Sequence, residues 1–453
     1  MKKIIFIFLL SLLAYISCKS KEEWKSRSIY QLITDRFART SDTGRCDLNS
    51  YCGGNYQGII KKLDYIKGMG FDAIWISPIV ENMEGSYHGY HFTNLYALNN
   101  HFGSEEDFKA LISACHKKDI WIMVDVEVNH VAPVGTNYSL ITPFNSAEYY
   151  HDECLISDWK NQFIVENCRL CDLPDLKQEN EWVTEKLVEW IHDLVIKYDI
   201  DGIRIATVNE VPKWFWDKFT ISAGVFQIGE VFDGDPDYLA DYQNHLDSVH
   251  NYPLFYCIRN IFDDNYGTFE SLEQYFYNIR PKFPSIEYTA TFIENHDNPR
   301  FLYNNLNKVK YTNAVILTLL WEGIPIFYYG GEQYYKGGQD PYNREPLWDN
   351  YDTDSPLYKI LGKINGIRKK YSIWDFPIVQ NFVDKQFYAF SRGDIFACFS
   401  ITYGVERRIV HHNYENGDKF CNILDDEKED CITVSDGILN VIMEEYPKIY
   451  IKQ

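Results

Sequence analysis

The chain has 453 residues, which at about 150 residues per domain predicts roughly three domains. Hydrophobic residues make up 45% of it and charged residues 24%, so it can form a large core and is not an intrinsically disordered chain. Acidic residues outnumber basic ones 65 to 44, and the net charge of −21 argues against a protein that binds the phosphate backbone of nucleic acids.

The first residues have the pattern of a secretory signal. Two lysines precede an apolar run over residues 4–16, and Ser17 and Cys18 end it. The run is too short to span a bilayer comfortably, which takes about 20 residues. We therefore expect residues 1–18 to be a signal peptide, the protein to be secreted or extracytoplasmic, and no stable membrane anchor to be left. An uncleaved anchor is the alternative.

Eight short runs rich in β-branched and aromatic residues follow, each ending in polar residues. Near-continuous apolar strands are typical of parallel sheets buried on both faces, and the stretches between the runs have helical spacing, as from Trp182 to Leu194. This alternation predicts the α/β class and a (β/α)8 TIM barrel over residues 19–128 and 181–372. The predicted strands cover residues 28–32, 72–76, 120–124, 202–205, 225–229, 247–249, 288–293 and 324–328.

Two further regions depart from this alternation. Residues 129–180, after the third strand, are rich in Pro, Asn, Asp and Tyr, and a connection of that length inside a barrel is typical of a functional subdomain. From residue 373 to residue 453 the chain consists of short alternating runs, which predict a small C-terminal antiparallel β domain of sandwich type.

The cysteines are compatible with disulfides if the chain is exported. Cys46 and Cys52 flank one short loop, and Cys154 and Cys168 flank another. Cys421 and Cys431 form a possible third pair by proximity alone, because spacing does not determine connectivity.

Four motifs place carboxyl groups, histidines and an arginine at the ends of predicted strands. They are Asp-Val-Glu-Val-Asn-His at 125–130, Gly-Ile-Arg-Ile-Ala-Thr-Val-Asn-Glu at 202–210, Gly-Glu-Val-Phe-Asp-Gly at 229–234 and Phe-Ile-Glu-Asn-His-Asp-Asn-Pro-Arg at 292–300. Together they resemble the four signature regions of the α-amylase family of glycoside hydrolases, most closely the secreted fungal-type α-amylases. The resemblance extends to Tyr-His-Gly-Tyr at 87–90 and to Asp-Pro-Tyr-Asn-Arg-Glu at 340–345.

This resemblance implies catalytic roles at four positions. Retaining glycosidases hold two carboxyl groups about 5–5.5 Å apart across the scissile bond. Glu230 has the position of the acid/base, and Asp297 that of the carboxylate that grips the distorted sugar. Arg204 has the position of the arginine that orients the nucleophile. The nucleophile's own position holds Ala206, whose methyl group cannot form a glycosyl ester.

The resemblance also implies a cleft that binds α-1,4-glucans such as starch or glycogen. Tyr90 has the position of an aromatic ring that stacks on the sugar, because aromatic faces suit the apolar face of a hexose. His91 and Asn209 stand where the fungal-type enzymes have tryptophan and lysine. The implied substrate-binding set is Tyr90, His91, His130, Arg204, Asn209, Gly234, His296, Asp340 and Arg344.

Calcium is the implied cofactor. Asn129, Glu166, Asp175 and Glu210 match family ligands that tie the long third loop to the barrel, and Glu166 and Glu210 would act there through their carbonyl groups. Glu210 itself replaces a histidine of the fungal-type enzymes.

We therefore predict a monomeric glucan-binding protein of the α-amylase type whose hydrolysis is lost or severely impaired. One alternative is an active endo-acting hydrolase in which a water, placed between the acid and a base about 6.5–9.5 Å away, attacks directly. Another is a scaffold or interaction protein that retains only the fold.

Overall fold

The computed structural model describes residues 19–41, 44–263, 267–427, 429–444 and 446–453. The predicted signal peptide, residues 1–18, lies outside these ranges. In the part of the chain that the structure describes, no helix has the length and apolar character needed to cross a membrane.

Eight parallel strands form the centre of the molecule. Hydrogen bonds order them β6–β5–β4–β3–β2–β1–β8–β7, and a parallel bridge between His250 and Ala290 joins the two ends of this order. The predicted (β/α)8 barrel is therefore confirmed. Its strands are β1 (Ile29–Gln31), β2 (Ala73–Ile76), β3 (Trp121–Val126), β4 (Gly202–Ile205), β5 (Phe226–Gly229), β6 (Ser248–Val249), β7 (Ala290–Thr291) and β8 (Ile324–Tyr328).

Helices alternate with these strands. Two of them end in a left-handed residue, Asp199 and Gly224, just before β4 and β5. Such a cap satisfies terminal carbonyl groups and turns the chain, which returns it to the sheet. The α-helices span Lys21–Trp24, Thr34–Phe37, Tyr56–Gly68, Glu105–Lys117, Gln162–Asn167, Glu181–Tyr198, Lys213–Ala223, Pro236–Tyr242, Tyr252–Asp263, Glu270–Gln274, Phe301–Asn304, Lys308–Leu320 and Pro356–Lys370.

The end of the barrel where the strands begin is closed by apolar packing. Trp24 stacks on Phe226 and meets Trp121 edge-on, with ring centroids 5.2 and 5.1 Å apart. Its indole N–H donates to the carbonyl of Asp201 at 3.3 Å. A buried tryptophan usually has such a partner. This packing leaves the opposite end of the barrel, where the strands finish, for polar side chains.

The long segment after β3 has little regular structure. Its helix Gln162–Asn167 is accompanied by 3-10 turns at Tyr138–Leu140, Ala147–Tyr149 and Leu170–Asp172. A disulfide joins Cys154 to Cys168, as predicted. A bridge between His130 and Asp175 attaches the segment to the end of β3. Beside it lies an antiparallel hairpin of Val80–Asn82 and Phe92–Leu98. The boundaries 129 and 180 stay predictions.

The C-terminal part is antiparallel, as predicted. A six-stranded sheet of order β9–β10–β11–β16–β13–β14 packs against the pair β12–β15 through a shared apolar cluster. The boundary at residue 373 stays a prediction. The strands are β9 (Val379–Val383), β10 (Phe387–Arg392), β11 (Ile395–Ser400), β12 (Val405–Ile409), β13 (Lys419–Asn422), β14 (Cys431–Thr433), β15 (Leu439–Met443) and β16 (Lys448–Lys452).

Both remaining cysteine pairs suggested by the sequence are disulfides. Cys421 and Cys431 lie directly opposite each other on β13 and β14, with their Cα atoms 4.0 Å apart. The Cys46–Cys52 pair closes a short loop after β1.

Candidate active site

A cavity of about 440 Å³ opens where the barrel strands end. Most of the catalytic positions named from the sequence line it, together with side chains that the sequence did not single out. The lining includes Tyr90, His130, Arg204, Ala206, Asn209, Glu210, Glu230, His296 and Asp297. The structure therefore brings these nine residues together from four different strand ends, those of β3, β4, β5 and β7, and from the loop that carries Tyr90.

Arg204 is the buried cation of this site. Its Nη2 lies 2.7 Å from Glu230 Oε2, and its Nη1 lies 3.1 Å from both oxygens of Asp125. Only 1% of the arginine is exposed. A buried guanidinium must be compensated by acids, and here one comes from each neighbouring strand.

Glu230 is placed to act as an acid near neutral pH. Its carboxyl group is buried, and burial raises its pKa to about 7 although Arg204 opposes the shift. The hydroxyl of Tyr252 donates to Oε1 at 3.2 Å. A carboxyl group with a raised pKa can hold a proton until a leaving group needs it.

Tyr90 is held by a chain of hydrogen bonds. Gln31 donates to Nδ1 of His296 at 2.8 Å, so the ring proton lies on Nε2 and faces the Tyr90 hydroxyl, also at 2.8 Å. That hydroxyl donates to Asp125 at 2.7 Å. Burial lowers the pKa of His296 well below its usual value, so the ring stays neutral. The network fixes the ring plane of Tyr90.

Asp297 lies at the edge of the cavity. Its oxygens are 3.3 Å from His296 Nε2 and 3.5 Å from Arg344 Nη2. Arg344 also forms an ion pair of 3.0 Å with Asp340. Burial raises the pKa of Asp297. Asp340 and Arg344 therefore adjoin the cavity through Asp297 without lining it.

Two other sequence candidates lie away from the lining. His91 is bonded to Ser86 at 2.9 Å and, through its backbone N–H, to Asn82. Gly234 lies against the ring of Tyr256, where a Cβ atom would come within 3.2 Å of it.

Ala206 follows directly after β4, and its amide donates to the carbonyl of Val126 at 3.0 Å. Its side chain offers no oxygen to the cavity. Next to it, Asn209 donates to Glu210 at 3.2 Å and accepts from the amide of Phe232. Burial raises the pKa of Glu210 to about 8, with further contributions from Glu230 and Glu127.

Oxygen atoms converge at the proposed calcium ligands. The side-chain oxygen of Asn129 lies 2.9 Å from Asp175 Oδ1 and 3.2 Å from the carbonyl of Glu210, and a rotated amide would donate to both. Amide, carboxylate and carbonyl oxygens are the donors that Ca²⁺ prefers, so this set fits the ion. The carboxylate of Glu166 instead accepts from Gln162. Among the described residues, no group of three or more His, Cys, Asp or Glu side chains could hold a metal.

Sequence reasoning missed several residues of the cavity. Glu127, Trp159 and Phe232 all line it. Glu127 lies within the first motif and was not assigned a role. Its position two residues after Asp125 was a usable signal, because alternate strand residues share a face. Trp159 and Phe232 are 58% and 48% exposed, and exposed aromatic rings are a usual sign of sugar binding that one sequence does not reveal.

Known proteins are similar to this chain in sequence and in structure. Residues 31–375 match the family model described as the alpha-amylase catalytic domain. The chain is 45% identical over 373 residues to alpha-amylase 2 of Schizosaccharomyces pombe. The aligned region is 77% of this chain and 64% of that protein. It is 44% identical over 364 residues to alpha-amylase 1 of Lipomyces kononenkoae, and the aligned region is 76% of this chain and 58% of that protein. The chain thus spans less than two thirds of either relative.

A solved alpha-amylase from Malbranchea cinnamomea has a TM-score of 0.92 with this structure. The two are 38% identical, and the match covers 96% of this chain and 98% of that one.

Proposed function

The chain belongs to the α-amylase family of glycoside hydrolases, and on that premise we propose that it binds α-1,4-linked glucans in the barrel cavity while hydrolysis by double displacement is lost or severely impaired. The observation that carries the proposal is the contrast between Glu230 and Ala206. The acid is buried beside Arg204, whereas the nucleophile's position presents a methyl group.

The residues around the cavity suit a hexose. The plane of Tyr90 is fixed by the bonds from its hydroxyl, so its ring can receive the apolar face of a glucose unit without losing much freedom. His296 and Asp297 supply a donor and acceptors for hydroxyl groups at one side. Trp159 and Phe232 add apolar surface at the mouth of the cavity.

The chemistry available at this site is incomplete. Glu230 can protonate the glycosidic oxygen, but no oxygen at residue 206 can bond to C1. Loss of a nucleophile costs about 10⁶-fold in rate in other hydrolases, or about 8 kcal/mol of activation free energy. We expect a comparable loss for double displacement here.

Electrophoresis in a native gel that contains soluble starch tests the binding. We expect retardation of the parent chain and weaker retardation of Tyr90→Ala, because the variant loses the stacking surface. Tyr403→Ala is the matched control, since Tyr403 is 74% exposed in the C-terminal part. Equal mobility of the parent chain with and without starch would contradict the proposal and favour a scaffold protein that retains only the fold.

Asn129, Asp175 and the carbonyl of Glu210 would hold a calcium ion, with Glu166 contributing through its own carbonyl. The ion would supply a fixed positive charge that attaches the 129–180 segment to the end of β3. No step of sugar chemistry needs it. The partner of this protein is then a glucan chain, and the working form is a secreted monomer, in keeping with its disulfides.

A further inference from the structure

A groove of about 520 Å³ lies in the C-terminal part of the chain and shares no lining residue with the barrel cavity. Strand β9, at the edge of the six-stranded sheet, forms one wall. Residues 410–414, which follow β12, form the other wall. The groove is therefore a separate site between a sheet edge and a loop.

A β-bulge brings two consecutive side chains of β9 to this groove. The pairing of β9 with β10 shifts by one residue between Gln380 and Phe382, so Asn381 is the extra residue. Successive side chains of a regular strand point to opposite faces, whereas Gln380 and Asn381 both line the groove. Bulges re-aim side chains in this way and are common next to functional sites. The edge of the sheet thus presents two amide groups to one space.

Each of these amide groups has an oxygen atom without a hydrogen-bonding partner in the described part of the chain. Asn381 is only 3% exposed. Its Nδ2 donates to the carbonyl of His411 at 2.8 Å, which fixes the orientation of the amide and leaves Oδ1 without a donor. Oε1 of Gln380 also lacks a donor. Buried polar atoms of native proteins are nearly always paired, because an unpaired one costs stability. The β9 wall therefore has two acceptors that call for a ligand.

The opposite wall contributes a donor. Nδ1 of His412 accepts from the backbone N–H of Tyr414 at 3.2 Å, so the ring proton of the neutral imidazole lies on Nε2. That Nε2 has no partner among the described residues. The imidazole stacks on Tyr414 with ring centroids 5.2 Å apart, and Tyr414 packs in turn on Phe420 at 4.5 Å. The donor is therefore held in place by the apolar cluster of the C-terminal sheets.

The composition of the groove suits a neutral ligand with many hydroxyl groups. As far as the structure describes the chain, none of its ten lining residues is an aspartate, glutamate, lysine or arginine. A charged ligand would lose hydration there without gaining an ion pair. Val379 and Val410 are 51% and 53% exposed and give each wall some apolar surface. A pyranose matches this surface, because its hydroxyl groups both donate and accept and its ring has an apolar C–H face.

We propose that this groove is a second glucan-binding site that takes a segment of an α-1,4-glucan chain. Two sugar hydroxyl groups donate to Gln380 Oε1 and Asn381 Oδ1, and a third oxygen accepts from His412 Nε2. The choice of an α-glucan among neutral saccharides rests on the proposed function. Two sites that hold one polymer chain raise the effective affinity through local concentration. The second site would thus keep the protein attached to a glucan that it does not cut.

Equilibrium titration with maltoheptaose counts the binding sites. We expect two sites in the parent chain and one in Val410→Arg, because the long side chain fills the groove from an exposed position. Ile442→Arg is the matched control and should keep both sites, since Ile442 is 55% exposed on β15 and does not line the groove. An equal number of sites in the parent chain and in Val410→Arg would overturn the proposal.

The bulged amide gives a second readout. We expect Asn381→Ala to weaken binding at the groove about tenfold, the upper range for loss of one hydrogen bond, and to leave the barrel cavity unaffected. The affinity for maltoheptaose is measured in the Tyr90→Ala background, where the groove is the remaining site. An unchanged affinity would overturn the proposal.

The same titrations separate this proposal from the proposed function. A single site that Tyr90→Ala removes and Val410→Arg keeps leaves glucan binding in the barrel standing and removes the groove. A single site with the opposite response supports the groove and removes binding in the barrel. Absence of maltoheptaose binding in the parent chain removes both. Binding of cellohexaose but not of maltoheptaose at the groove would overturn the choice of an α-glucan.

Discussion

Residue 206 lies among the charged groups of this site. Arg204 is compensated by Asp125 and Glu230, and Glu127, directly after β3, is one of the further carboxylates that line the cavity. The methyl group of Ala206 therefore lies next to the carboxylate of Glu127. The sequence motifs alone do not show that these two residues are neighbours. Any attempt to restore the nucleophile has to account for that neighbour.

Ala206→Asp alone is expected to restore less double displacement than Ala206→Asp combined with Glu127→Val. The new carboxylate would lie level with Glu127, and two like charges about 4 Å apart repel by about 4 kcal/mol at the effective dielectric of a protein. We expect the double variant to release reducing ends from soluble starch at least about tenfold faster than the single variant. Equal rates would mean that Glu127 does not disturb the site.

Residue identity alone could not reveal the relation between Glu127 and Ala206. Both residues lie in motifs that the sequence analysis identified. Glu230, Arg204 and Asp297 were assigned roles by resemblance, and the structure brings these three residues together. Which residues face each other across two strands depends on register, and register depends on the packing of the whole barrel.

At the scale of elements, the barrel strands were predictable because they are buried on both faces and therefore apolar throughout. The seventh strand is shorter than its apolar run. Residues 288–293 were predicted, but Ile286–Tyr288 forms a 3-10 turn and β7 is Ala290–Thr291. The Cys421–Cys431 disulfide could not be assigned from spacing, since its pairing follows from the antiparallel register of β13 and β14.

The segment 129–180 is attached to the end of β3 at the His130–Asp175 bridge, beside the oxygen atoms that converge at Asn129, and we expect calcium bound there to strengthen this attachment. We expect a chelator to lower the melting temperature of the parent chain, since a saturating ligand stabilises by about 3–4 kcal/mol. Asn129→Ala should melt earlier and respond little to the chelator. Asn145→Ala, an exposed asparagine of the same segment, should behave as the parent does. A melting temperature of the parent that is indifferent to chelator would contradict the site.

At the scale of the whole molecule, the barrel and the C-terminal sheets are joined by buried polar contacts. Arg392, on β10, donates to the carbonyls of Leu320 and Trp321 at 3.0 and 2.6 Å. Tyr388 of the same strand stacks on Phe269 with ring centroids 5.9 Å apart. Leu320 and Trp321 come just before β8, so these contacts lie at the end of the barrel that Trp24 also closes, and the opposite end, where the strands finish, stays open.

We expect this molecule to hold glucan chains without forming a covalent bond to them. Intact-protein mass spectrometry of the unmodified chain, after incubation with a fluorinated maltosyl fluoride that traps glycosyl-enzyme intermediates, tests it most directly. Ala206→Asp combined with Glu127→Val is the positive control and should gain the mass of one glycosyl group. We expect the unmodified chain to keep its mass while it is retarded on starch. A glycosyl adduct on any of its carboxyl groups would contradict this expectation.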